Sequence, residues 1–383
     1  MNKPLRDEHP KMLLDPYLSW AAKEGVPIRE DFGVDLLKVP VASWPRLGVE
    51  GGIVNLKGRG DFVSIFVIDL APGTGTAPQK HVYEEVVYVL SGYGSTSIET
   101  SDGRSHSFEW GPKSLFALPL NARYRRFNTS GRERARLAST NNLAMMLNLF
   151  HNEAFIFDNP GDFSERQGSQ RFFSGEGDFI PVRPGRNMWE TNFIPDLAAF
   201  ELKEWAARGA GGSSMIFILA EGTMHAHTSQ MPVGTYKKAH RHGADFHVFT
   251  VAGHGYSLLW YAGDKEFVRV DWQHGVVFAP PDQMFHQHFN TLPDPARYLA
   301  VAFGSLRYPF TTDKRRTFIG VDVNVRDGGC QIEYEDQDSR IHEIYLHELA
   351  KYGVQSKMVK FTDESAYLGR AADLVGGNGH ARP

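Results

Sequence analysis

At 383 residues the chain is long enough for two domains, or for one large domain with a substantial core. Hydrophobic content of 42%, charged content of 22% and a formal net charge of -4 exclude a disordered chain, a basic nucleic-acid-binding surface and a polybasic membrane binder. A single cysteine, Cys330, excludes an internal disulfide framework and any multi-cysteine zinc or iron-sulfur site, so a bound metal would need nitrogen or oxygen donors.

The opening MNKPLRDEHPKMLLDP carries scattered charges and no apolar stretch, and nothing in the chain approaches the roughly eighteen apolar residues of a membrane span. The expectation is a soluble cytoplasmic protein with neither membrane nor nucleic-acid partners. Helical periodicity is found in three segments: 11–24 (KMLLDPYLSWAAKE), 192–208 (NFIPDLAAFELKEWAAR) and 338–352 (DSRIHEIYLHELAKY). Between them, β-branched and aromatic runs such as FVSIFVIDL (62–70), EEVVYVLSG (84–92) and HVFTVAGHG (247–255) are of strand length and closed by glycine or other turn residues. The Gly-rich tail from Asp373 is expected to fray, which keeps His380 out of any site.

An internal repeat organises these strands. A shift of 162 superposes Trp110, Phe116, Ala117, Pro119, Phe127 and Asn128 on Trp272, Phe278, Ala279, Pro281, Phe289 and Asn290, and a shift of 161 superposes His81, Gly92 and Gly94 on His242, Gly253 and Gly255. One β module of roughly 100 residues is therefore used twice. The expected division is a helical arm (1–48), a first barrel (49–155), a linker with a helix (156–212), a second barrel (213–310) and a C-terminal extension (311–383).

The histidines concentrate in the second copy, where nine of 16 fall between His225 and His288. His240 and His242 lie one residue apart on an extended segment and share a face, and His286 arrives from a strand 44 residues beyond His242, so the three make a facial set of imidazoles able to hold a metal. Alternation admits either Phe246 or His247 to the same interior but not both. His288 and His227 are expected substrate contacts, with His225 beside them and Tyr236 and Trp260 shaping the pocket. Lys237, Lys238 and Arg241 offer attraction for an anion or are solvated turn charges; His342 and His347, five apart on a helix, are expected at the surface.

These motifs resemble those of the cupin superfamily, G-x5-H-x-H-x3-4-E-x6-G and G-x5-P-x-G-x2-H-x3-N, and the chain from about 50 to 310 resembles a bicupin. The second copy matches at His240, His242, Gly253, Pro281, His286 and Asn290, and where the family places its glutamate it has His247 at the longer spacing and Phe246 at the shorter, which implies His247 as a fourth ligand; the first matches at His81, Glu85 and Gly92 but has Gln79 and Tyr124 at two ligand positions. The resemblance implies an all-β fold of two tandem double-stranded β-barrels of jelly-roll type with peripheral helices, the first barrel serving the fold, and association into a homo-oligomer. Among bicupins, HRH followed by FHQH is similar to the gentisate, salicylate and 1-hydroxy-2-naphthoate dioxygenase group. This implies one divalent metal per chain, iron(II) foremost and manganese(II), nickel(II) or zinc(II) as alternatives, together with O2 and a small anionic, aromatic substrate. An all-histidine set leaves the ion its full charge and suits an anionic chelating substrate equally well in a non-oxidative lyase, hydrolase or isomerase. A non-catalytic binding bicupin is the third reading.

Overall fold

The computed structural model describes residues 14–100, 103–167, 169–243, 246–309 and 322–364. The tail from Asp373, with His380, and the first residues of the expected 11–24 helix lie outside them. Each copy folds into two facing sheets. In the first, Val49–Leu56, Ser64–Leu70, Ala135–Asn141, Glu85–Ser91 and Leu115–Ala117 lie side by side in that order, opposite a sheet ordered Arg123–Asn128, Gly94–Glu99, Ser105–Trp110. In the second, Ser213–Leu219, Met224–Met231, Ala296–Phe303, His247–Ala252 and Val276–Phe278 repeat the order. Their opposing sheet runs Val268–Gln273, His254–Trp260, Phe285–Asn290, Ala239–His240. The fold is thus all-β, two tandem double-stranded β-barrels, as expected.

The repeated residues are mostly those that close a barrel. Gly92 and Gly253 both have positive φ, +81° and +82°, and a Cβ there would come within 2.5 Å of the Ala135 Cα and 2.8 Å of the Ala296 Cα. Two residues on, a Cβ at Gly94 or Gly255 would meet the carbonyl oxygens of Phe127 at 2.1 Å and Phe289 at 2.0 Å, so the tryptophans Trp110 and Trp272 lie directly against bare backbone. Asn128 and Asn290 tie strand ends by donating to backbone carbonyls, Leu70 and Glu133 in one copy and Met231, Pro232 and Asp294 in the other.

The barrels pack through their larger sheets. Val54, Ile65, Val67, Val86 and Tyr88 from the first and Phe217, Phe249, Val251, Leu299 and Val301 from the second form one buried cluster, each such side chain contributing about 1.5–3 kcal/mol on burial. Strands are exchanged across this contact. Gly33–Asp35 of the N-terminal arm pairs with Val276–Phe278, and Phe193–Ile194 of the linker pairs with Phe116 and Leu115. Glu84 of the first barrel accepts backbone hydrogen bonds from Thr223 and Met224 of the second, at 2.7 and 2.9 Å.

Helices form at Pro16–Lys23, capped by Asp15, and at Ser339–Lys351, capped by Asp338. The expected 192–208 helix is not formed. Its first residues are taken into the sheet, Pro195 follows, the Asp196 carboxylate turns the chain by accepting from Ala198 and Ala199, and Phe200 packs edge-on to Trp189 and Phe217. Its apolar spacing reflects plugs in the barrel contact, not a helix face. Two helices the periodicity did not indicate, Leu143–Phe150 and Glu153–Phe157, follow the first barrel. The Ser339–Lys351 helix covers the outer face of the second barrel's smaller sheet through Ile341, Ile344, Tyr345 and Leu349. That corrects His342, which is buried there and bonded through Nδ1 to the Tyr236 hydroxyl at 3.0 Å, not at the surface. No described helix is long and apolar enough to cross a membrane.

Candidate metal centre

The second barrel's smaller sheet assembles the imidazoles. His240 pairs directly with His286 across neighbouring antiparallel strands, and their ring centroids are 4.1 Å apart. His242, just past the strand end, turns its ring to within 5.5 Å of His240 and 4.6 Å of His286. One donor atom from each of the three lies within 4.8 Å of the others. Each Nδ1 faces a backbone carbonyl: Lys238 for His240 at 3.4 Å, Gly243 for His242 at 2.8 Å and Met284 for His286 at 3.1 Å. A carbonyl only accepts, so these contacts place the proton on Nδ1 and leave the Nε2 lone pairs free. Burial first, then Arg208 and the neighbouring imidazoles, hold His240 and His286 well below the ordinary histidine range; burial takes His242 to about 4 against a small opposing pull from the Gly243 carbonyl. All three are neutral at pH 7, the state a ligand requires.

His247 is not brought to this group. Alternation along His247–Ala252 sends Phe249 and Val251 into the cluster between the barrels, and His247 shares their face opposite Val301. Phe246 takes the inward place instead, its ring 4.1 Å from His242 and 5.5 Å from His225. The expected substrate contacts divide in the same way. His288, on the inward side of its strand, is bonded through Nδ1 to the Ser257 hydroxyl at 2.7 Å, with its ring 5.5 Å from His286. His227 shares a 2.8 Å hydrogen bond with Nε2 of His225, and both rings approach Phe246. Tyr236 and Trp260 belong to the opposite face. Tyr236 packs on Phe289 and Tyr345, and Trp260 on Phe267 and Phe285, in the core beneath the C-terminal helix. Neither lines the barrel interior.

Three basic side chains join the interior, and burial first, then Arg208 and Arg186, lower the Lys237 pKa well below the ordinary lysine value. Lys237 is 2% exposed with its Nζ 5.1 Å from the Tyr298 ring centroid, and Tyr298 is the ring that His288 and His227 also meet, at 4.8 and 6.1 Å. Of the turn charges, Lys237 alone enters the barrel; Lys238 pairs with Glu333 and Arg241 stacks on Phe285. Arg186 and Arg208 come from the linker and flank Trp205, at 4.4 and 5.3 Å from its ring. Burial is the first cause lowering both guanidinium pKa values to about 10. No motif announces them, because they enter from a segment outside the repeat.

The first barrel resolves the same positions differently. Gln79 donates its amide to the carbonyls of Arg46 and Ala77, and His81 Nε2 meets the Tyr124 hydroxyl at 2.8 Å. The Glu85 carboxylate accepts from Arg126 at 2.5 Å and from Ser139 at 2.6 Å. Burial alone would raise its pKa, but Arg126 and His81 hold it well below the ordinary range. Arg126, 162 residues before His288 and 1% exposed, fills the barrel with a guanidinium.

No protein-family model and no curated protein sequence matches the chain. Among solved structures it is similar to the oxalate decarboxylase of Lactobacillus farciminis in a formate complex, at 16% identity over 73% of this chain and 87% of that one with a TM-score of 0.47. It is likewise similar to a variant of Bacillus subtilis oxalate decarboxylase, at 16% identity over 72% and 78% with a TM-score of 0.47.

Proposed function

We propose that the second barrel is the divalent-metal centre of an enzyme acting on a small anionic substrate by non-oxidative chemistry of the lyase, hydrolase or isomerase kind. One observation carries the reading: three neutral imidazoles, each tied through Nδ1 to the backbone, have donor atoms within 4.8 Å of one another. That donor set fits iron(II), manganese(II), nickel(II) or zinc(II), with His240, His242 and His286 as ligands. When bound, the ion supplies a Lewis acid that polarises a substrate oxygen.

The chain supplies the surroundings. Phe246 packs against the half-buried His242, and the buried guanidiniums of Arg186 and Arg208 favour an anionic guest. The His225 and His227 pair holds a proton in its 2.8 Å hydrogen bond, and Ser257 and His288 form a second hydrogen-bonded pair. Such pairs move protons on and off a bound substrate, which favours the non-oxidative reading. A specific observation favours the second reading, an iron(II) dioxygenase cleaving a hydroxylated aromatic acid: with His247 on the outer face, three imidazoles leave more of the ion's coordination sphere for a chelating substrate and O2.

Elemental mass spectrometry of the purified protein is expected to find about one divalent transition metal per chain, lost in His242→Ala; full retention by that variant would refute the site. Iron(II)-loaded protein with a hydroxybenzoate series in an oxygen electrode is expected to consume no O2, and uptake with a ring-opened product would replace the main reading by the second.

A further inference from the structure

Arg186 and Lys237 are 8% and 2% exposed, and neither makes an ion pair or a side-chain hydrogen bond among the described residues. Arg186 Nε is buried with no partner, and its guanidinium has only the Trp205 face; Lys237 Nζ has only the face of Tyr298. The acid whose charge reaches Arg186, Asp322, is already held by Arg183 through two 3.0 Å contacts. A buried cation without a counter-ion is costly, and burial first, then Arg208 and Arg186, lower the Lys237 pKa well below the ordinary lysine value. Methionine or leucine would fill such positions at lower cost, so a guanidinium and an amine kept there without partners point to a guest.

The two are brought together by the fold. Arg186–Thr191 lies one strand away from Met224–Met231, which carries His225 and His227, and Arg186 shares the Trp205 ring with Arg208, whose neighbour Gly209 is bridged to Lys237. Lys237 reaches in from the opposing sheet, its backbone N–H donating to the His288 carbonyl at 3.1 Å. Arg208, hydrogen-bonded to Gln331 at 3.1 Å, adds to the same potential.

We propose that Arg186 and Lys237 form an anion-binding subsite inside the second barrel, which takes an anionic group of the substrate other than the part presented to the histidine triad. The proposal rests on the reading of the triad as a metal centre only for what the substrate does next; the subsite itself needs no metal. The group it fits is a carboxylate or a phosphate-like oxyanion, both of which accept from a guanidinium and an ammonium together.

The test uses metal-free full-length protein in an anion-poor buffer, with acetate, malonate and inorganic phosphate as probes, read by thermal shift and by calorimetric titration. At least one probe is expected to bind and to raise the melting temperature, and which one does so assigns the oxyanion class. Lys237→Met and Arg186→Met are expected to weaken that binding by roughly tenfold to a hundredfold, the loss of one charged hydrogen bond. Without anion, Lys237→Met is expected to melt no lower than the parent, because it removes a desolvated amine that has no hydrogen-bond partner among the described residues. Binding undiminished in both variants, no response of the parent to any probe, or a Lys237→Met protein that melts lower while binding as before would each overturn the subsite. Metal retention in His242→Ala is measured separately, so either reading can fail alone.

Discussion

Replacing Arg126 by methionine leaves the Glu85 carboxylate buried in the first barrel without its counter-charge. The pair is almost fully desolvated, with side chains 1% and 3% exposed, so no solvent screening softens the loss. Removing one partner of such a pair costs about 3–5 kcal/mol. The lower end applies, because Ser139 still donates to Glu85 at 2.6 Å. At about 2–4 °C per kcal/mol for a domain of 150–250 residues, the melting temperature should fall by roughly 6–12 °C. The double variant Glu85→Gln with Arg126→Met removes both charges and is expected to recover at least about 2 kcal/mol of that loss, a coupling that thermal or urea unfolding of the four proteins measures directly. The pH dependence adds a second signature. In the parent, Glu85 is depressed, so its contribution is present above the unfolded carboxylate pKa and lost as pH falls through the folded value. In Arg126→Met burial dominates and the folded pKa rises, so the deficit shrinks as pH falls toward about 5. A single variant that loses less than about 1 kcal/mol, or a double variant as unstable as the single one, would refute a structural ion pair in this barrel.

The metal-free protein should be acid-sensitive. Burial lowers His225 and His288 to about 3 and His242 to about 4, and it holds His227, His240 and His286 well below 6.5. Depressed folded values mean stability present above about 6.5 and lost as pH falls, by up to about 1.4 kcal/mol per unit for each histidine; melting curves flat between pH 6.5 and 5 would contradict this. Phe246→Glu places a carboxylate within reach of His242, at the position 161 residues after Glu85, and is expected to tighten manganese(II) binding at least about tenfold in a metal titration while weakening anion binding.

The architecture was legible because the repeat recorded steric necessities. Gly92 and Gly253, Gly94 and Gly255, and Asn128 and Asn290 each recur where bare backbone or a strand-end amide is required, and that requirement is local enough to leave a mark at fixed spacing. The triad was legible for the same reason: His240 and His286 occupy facing positions of one strand pair. What escaped depends on which face a residue meets after the chain leaves the repeat. Tyr236 and Trp260 are aromatic and strand-borne like true pocket residues, but the Ser339–Lys351 helix makes their face a core. Alternation left Phe246 and His247 undecided until the packing of the two barrels fixed Phe249 and Val251 between them. Arg186 and Arg208 sit in the linker, Arg208 at the end of the 192–208 stretch whose spacing imitates a helix, and only the linker's pairing with both barrels turns their side chains inward.

The two barrels resolve one electrostatic problem in opposite ways. A small barrel with polar inward positions needs its charges matched inside, since water does not reach them. In the first copy Glu85 supplies negative charge and Arg126 answers it, while Gln79, His81 and Tyr124 satisfy one another or the backbone, so the interior is closed to an external ion. In the second copy the corresponding positions are His240, His242, Phe246, His286 and His288, which bring donors but no carboxylate. Arg186 and Arg208, with guanidinium pKa values that burial lowers only to about 10, make the interior positive before any metal enters. A centre designed only to retain a divalent ion would gain from an acid at position 246. A phenylalanine there, in a barrel that also holds the buried guanidinium of Arg186, leaves positive charge for an anionic guest to neutralise, and this ties the substrate's charge to the same interior that sets the metal's surroundings.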